Sequence, residues 1–147
     1  MKPLSTFDIV KILGCQRQRF VHWMRGGFLP SGQLEQRGQV HVTKFDLEDT
    51  YRIYLFSKLI TGVGKNDNRG FGITRNIASQ MVKDLFDNGK TVFHVYETNS
   101  LALFINHKRI RQETHQKLFE NGFINKTELN KLNRKLKNES NTRVAKR

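Results

Sequence analysis

The sequence predicts an α+β fold: short helices and a hairpin in its first half, then a small β-hairpin/helical C-terminal part. Three observations predict it. Apolar residues recur at helical spacing at Ile9, Ile12 and Leu13, and again at Phe20, Trp23 and Met24. Between residues 31 and 42, Gly32 and Gly38 punctuate a stretch in which Val40 and Val42 alternate with Gln39 and His41. Finally, the β-prone runs 91–96 and 101–106 are split by the turn formers Thr98-Asn99-Ser100.

The elements follow in order. Ser5 has the character of a helix cap, and Asp8 lies three residues on, where its carboxylate reaches back to the cap and favours the helix dipole. Gly14 supplies the tight exit from this first helix. A second helix, from about Gln16 to Arg25, groups Phe20, Trp23 and Met24 on one side and turns Gln18, Val21, His22 and Arg25 the opposite way. Gly26-Gly27 ends it and Pro30 prevents its resumption. Two short helices across a Gly-containing turn have the form of a helix-turn-helix. The hairpin over 31–42 carries a basic tip at Arg37. Thr43, with Asp46 three residues later, is the expected cap of a third helix, whose apolar stripe is Phe45, Leu47, Tyr51, Tyr54, Leu55 and Leu59. A polar loop spans 62–72. Thr74 caps a fourth helix with Ile77, Met81, Val82 and Leu85 on its packed face, and Asn88-Gly89 stops it. After the second hairpin a helix runs to Asn121 and ends at Gly122. Asn125 to Glu128 resembles another capping box, and Leu129, Leu132 and Leu136 mark a thin stripe. The expected organisation is a first unit over 1–89, a hairpin-plus-helix region over 90–137, and a basic, disordered tail over 138–147.

Charge narrows the function. The chain has 147 residues with 26 Lys and Arg against 13 Asp and Glu, a formal net charge of +13. Such a balance suits a polyanionic partner, because Lys and Arg near phosphates displace condensed counterions. The plainer alternative is a basic protein without such a partner. Eleven Phe provide material for a core. Cys15 is the only cysteine, so one chain forms neither a disulfide nor a thiolate zinc cluster. No apolar run approaches the roughly 20 residues that span a bilayer, and the N-terminus lacks a signal-peptide stretch. These features predict a cytoplasmic, nucleoid-associated protein.

The run Phe7-Asp8-Ile9-Val10-Lys11-Ile12-Leu13-Gly14-Cys15-Gln16-Arg17-Gln18-Arg19-Phe20-Val21-His22-Trp23-Met24-Arg25-Gly26-Gly27-Phe28-Leu29-Pro30 resembles the DNA-binding domain of the MerR family of winged helix-turn-helix regulators. It has that family's rhythm: short helix, Gly, recognition helix with a late aromatic, then Gly, two apolar residues and Pro. Residues 38–46 match where the family's wing leads into its third helix, and 72–77 match the start of its fourth. Phage excisionases share the layout. The resemblance covers about the first 85 residues and implies duplex-DNA binding. The chain has Val21 and Val40 where the family usually has Arg, its loop at 62–72 is longer, and the family's long dimerising helix is not evident.

A helix in the major groove needs polar, extendable side chains facing outward. Gln18, His22 and Arg25 meet that need, while Gln16, Arg17 and Arg19 lie near the helix start, where base and phosphate contacts concentrate. The competing reading is a merely solvated face. Arg37 and His41 are candidates for the minor groove or a phosphate strand, and Lys65 and Arg69 for the backbone, against an exposed hairpin and a solvated loop. Trp23 reads as core. Cys15 at a helix start is either a thiol of lowered pKa or a small packing residue. The histidines have no metal-ligand spacing, the glycines at 64–72 lack a P-loop Lys-Ser/Thr pair, and no catalytic constellation stands out. No cofactor, metal or small-molecule ligand is expected.

The expected function is sequence-specific transcriptional regulation, repression before activation, since repression needs only promoter occupancy. Its expected partners are double-stranded DNA and a second copy, with the hairpin 92–105 and the following helices as the dimer region. Two alternatives remain: an excisionase-like protein that bends DNA, and an RNA-binding protein that stacks bases on Phe93 and Tyr96.

Overall fold

The computed structural model describes residues 1–61, 73–94 and 100–145, with side chains described as far as 139. It is a mixed α and β structure. The first strand, β1 (Leu4–Ser5), is too short to leave any periodicity in the sequence. It leads directly into α1 (Thr6–Leu13), where Ser5 and Asp8 form the expected reciprocal capping box. Gly14 ends α1 in the left-handed conformation at φ 64°, which a side-chain-bearing residue adopts only at a cost. Gly14-Cys15-Gln16 then turns the chain into α2 (Arg17–Arg25).

Strands β2 (Gln33–Arg37) and β3 (Val40–Phe45) make the expected hairpin, with Arg37 opposite Val40 at its tip. β1 joins the other edge of β3, Leu4 opposite Phe45, to give a three-stranded antiparallel sheet of order β1-β3-β2. Buried Leu4 and Phe45 sew the base of the hairpin to the core, and the outer part projects into solvent.

The entry to the hairpin is sterically tight. Gly32 has φ +69°, and a Cβ there would sit 2.8 Å from the Lys44 carbonyl oxygen and 2.9 Å from the Phe45 ring. Gly27 has a similar φ of +73° but open space around it. Gly32→Ala is therefore expected to cost about 1–3 kcal/mol, and clearly more than Gly27→Ala, in denaturant midpoints. Equal losses would mean that only the dihedral, not the contact with β3, matters.

Thr43 does not cap the third helix. It lies inside β3 opposite Leu34, and Asp46 takes the role by accepting from the Asp49 N–H at 2.8 Å. The Thr43–Asp46 spacing imitates a capping box, but sheet pairing carries the chain on to Phe45. Helix α3 (Leu47–Thr61) is the central element. It buries Tyr51, Ile53, Leu55, Phe56 and Leu59, which point in several directions because helices pack on more than one side of it. Helix α4 (Arg75–Asn88) is capped by Thr74 and stopped by Gly89 as expected. Its packed stripe is Ala78, Met81, Val82 and Leu85. Ile77, expected on that face, is exposed, because the buried stripe centres on Leu85 and Ala78 and Ile77 falls at its edge.

Strands β4 (Val92–His94) and β5 (Ala102–Phe104) pair as a separate two-stranded sheet. Helix α5 (His107–Glu120) follows with Asn106 as its cap, then α6 (Lys126–Ala145), where the Asn125 side chain accepts from the Glu128 N–H. The sequence predicts a disordered tail from 138, whereas α6 is helical to Ala145; no Gly or Pro interrupts this stretch. One hydrophobic core runs continuously from Leu4 through Trp23, Phe56 and Leu85 to Leu118 and Leu129. No helix of the described residues is long and apolar enough to cross a membrane.

Candidate nucleic-acid interface

Helix α2 is anchored by one face and open on the other. Phe20 and Trp23 are fully buried, Phe20 edge-on to Phe45 and Trp23 edge-on to Phe56 at 5.4 Å between centroids. This grip fixes the rotation of α2 about its axis. It leaves Gln18, His22 and Arg25 exposed on the outward side, with Val21 half-buried among them, and Arg17 exposed at the helix start. No acidic residue occupies the first turn of α2, so its N–H groups and helix dipole favour an anion there. Gln16 is the N-cap residue, exposed, and its side chain makes no capping bond.

Two of the cations are oriented by aromatic rings. The Arg17 guanidinium lies 5.9 Å from the centroid of the exposed Phe7 ring, across the turn on α1. Arg19 is half-buried, with its guanidinium 5.3 Å from the Trp23 ring centroid. Arg19 thus packs along the side of α2 as a cover for Trp23 and stands apart from the outward set.

The hairpin register separates Arg37 from His41. Residues opposite each other in an antiparallel pair share a face. Arg37 therefore shares a face with Val40 and Glu35, and His41 with Gln36, Leu34 and Thr43. Both are exposed, but they flank the β-ribbon on its two sides. Arg37 is 4.0 Å from Glu35, a loose pair in full solvent that leaves it free to exchange partners. Lys65 and Arg69 lie outside the described residues.

The structure adds Arg75. The Ser79 hydroxyl donates to the Phe28 carbonyl at 2.8 Å, docking α4 on the segment that leaves α2. Arg75 is exposed one helical turn before Ser79. The sequence shows the helix start at Thr74 but not this docking, so it gives Arg75 no spatial place.

Other groups resolve differently. Cys15 is half-buried, and burial pushes its thiol up in pKa despite Arg19 nearby. It is a packing residue, not an activated thiol. Phe93 is buried in the core beneath the second hairpin, so it offers no platform for a base; Tyr96 lies outside the described residues. Among the described residues no group of three or more His, Cys, Asp and Glu is placed to hold a metal ion.

No family model matches this chain, and neither does any curated protein. What the chain can do rests on its own geometry.

A buried polar relay joins α3, α5 and α6. His115, fully buried, pairs through Nδ1 with the Asn133 carbonyl oxygen at 2.8 Å and through Nε2 with the Tyr51 hydroxyl. The Asn133 oxygen only accepts, so Nδ1 carries the proton and Nε2 accepts from Tyr51. Burial, together with Arg111, lowers the His115 pKa below its ordinary value against the opposing Asn133 bond. The relay ties α3, α5 and α6 together around a neutral imidazole. Nearby, Glu113 accepts from Tyr54 at 2.9 Å and from Lys58, and these bonds outweigh burial to hold its carboxyl below the usual range.

His115 makes the stability of the fold depend on pH. Its folded-state pKa is depressed, so below about pH 6.5 the unfolded chain takes up a proton that the folded chain resists. Stability present above that pH should be lost as pH falls toward the folded-state value. The denaturant midpoint is expected to decline from pH 7.5 to 5.5. A midpoint that rises over this window would mean that His115 is charged in the fold.

Proposed function

We propose that residues 1–89 form a winged helix-turn-helix that binds duplex DNA, with α2 as the recognition helix and the β2–β3 hairpin as the wing. On this reading the protein is a small, sequence-specific transcriptional regulator of the cytoplasm, acting as a repressor. The observation that carries it is the two-sidedness of α2. Phe20 and Trp23 lock one face into the core, and Gln18, His22 and Arg25 lie exposed on the other, around the half-buried Val21. Gln pairs with adenine and Arg with guanine in the major groove. The net charge of +13 supplies the backbone attraction.

A second copy is the proposed protein partner. Val92 and Phe104 are cross-strand neighbours on the outward face of the β4–β5 sheet, and they are 46% and 64% exposed. The inner face of this sheet is held on the core by Phe93, and a copy packed against the outer face would cover Val92 and Phe104. One small module reads only a half-site, so pairing also supplies specificity.

Selection from a randomised duplex library, with the mass in solution, tests the proposal. An inverted repeat with half-sites about 10 base pairs apart and a dimer mass support it. Direct repeats with a monomer mass favour a DNA-bending, excisionase-like role. No enrichment would end the recognition reading.

A further inference from the structure

We infer that the groove between α5 and α6 is a second phosphate-binding surface, which holds the DNA backbone away from the recognition helix. The inference rests on the duplex-binding reading above and extends it to the other half of the chain.

The groove is open, about 460 Å³, and lined by Lys108 and Gln112 of α5 and by Asn130, Asn133, Arg134 and Lys137 of α6. Among the described residues that line it every side chain is polar, three are cationic and none is acidic. The acids of both helices are directed elsewhere. At 100° per residue, Asn130, Arg134 and Lys137 share one stripe of α6, and Glu128 and Glu139 fall on the opposite side. Glu139 lines the clefts beside Leu136 instead. On α5, Glu113 is bound to Lys58 and Tyr54 of α3, and Glu120 pairs with Gln116 and Lys117 of its own helix.

The donor character is built from within. The Asn133 carbonyl oxygen is committed to buried His115, so the polar group it leaves for the groove is its NH₂. His115, itself held by Tyr51, is a positioning residue: it fixes which end of the Asn133 amide faces inward. Cations and fixed N–H donors without a carboxylate suit phosphate oxygens, which only accept. The basic stripe of α6 is visible in the sequence. The meeting with Lys108, about 25 residues earlier, and the orientation of Asn133 are not.

Deleting 126–147 is an unsuitable test, because Leu129 and Leu136 are core residues. Charge substitution is the clean one. The full-length triple variant Lys108→Gln, Arg134→Gln, Lys137→Gln and the wild type are titrated with the selected duplex and a random duplex across a salt series. A single-stranded RNA is run in parallel. We expect the slope of log K against log salt to flatten by about 2–3 on both duplexes, with the specific-to-random ratio and the melting temperature unchanged. Asn133→Asp keeps an acceptor for His115 but replaces the donor with a negative charge; duplex affinity is expected to fall while the fold persists. An unchanged slope in the triple variant, with the wild type still selecting its site, overturns the groove alone. A change confined to RNA also overturns it. A wild type that binds no duplex overturns the groove together with the recognition reading.

Discussion

Replacing Trp23 with alanine is expected to lower stability by about 3–5 kcal/mol, the usual cost of removing a large buried aromatic. Trp23 is fully buried, sits edge-on to Phe56, and is covered by the Arg19 guanidinium. The site cannot simply collapse, because Phe56 is also stacked on Phe28 and belongs to the central helix. Trp23 also sets the rotation of α2, so DNA affinity should fall with stability. Trp23→Phe is the informative contrast. Among the described residues the buried indole Nε1 has no hydrogen-bond partner, and such an orphaned donor costs about 1–3 kcal/mol. Removing it offsets part of the lost packing, so Trp23→Phe should be far milder. Denaturant midpoints of the two variants check this. Equal losses would mean that the indole N–H has a partner in solution.

The second large effect concerns recognition. Arg25→Ala and Gln18→Ala are each expected to cost about 1–3 kcal/mol on the selected site and much less on random DNA. Both side chains are exposed on the outward face of α2, about two turns apart, and neither makes an ion pair among the described residues. Their substitution should therefore leave the unfolding midpoint almost unchanged. Seven residues of helix separate them by about 10 Å, so the double variant should come close to the sum of the singles unless both contact the same base pair. Arg19→Ala is expected to behave differently, losing some stability through the uncovered Trp23 ring and little base discrimination. Equal losses on specific and random duplexes would reduce Arg25 and Gln18 to phosphate contacts.

These expectations show which parts of the molecule a sequence exposes. Local signals were legible. The Ser5–Asp8 capping box, the Gly14 and Gly89 stops, the Phe20–Trp23 stripe, the first hairpin and the pairing of 92–94 with 102–104 arise from neighbours within a few residues, and the structure has them. Signals that depend on a distant partner were not. β1 is only two residues long and exists because β3 offers an edge. Thr43 has the chemistry of a cap but is claimed by sheet pairing, and Ile77 has the spacing of a core residue but falls at the edge of the buried stripe. The candidate interface divides the same way. The outward set of Gln18, His22 and Arg25 follows from the helical period, whereas the packing of Arg19 on Trp23 and the separation of Arg37 from His41 depend on side-chain packing and strand register. The Tyr51–His115–Asn133 relay joins three residues that no spacing rule connects.

The most direct test of α2 as a major-groove reader is methylation interference on the selected duplex. Methyl groups are placed on guanine N7, which faces the major groove, and bound and free DNA are compared. The account predicts that methylation at one or two guanines in each half-site abolishes wild-type binding, and that Arg25→Ala loses this sensitivity at the guanine its side chain contacts. Binding indifferent to N7 methylation throughout the site would contradict it.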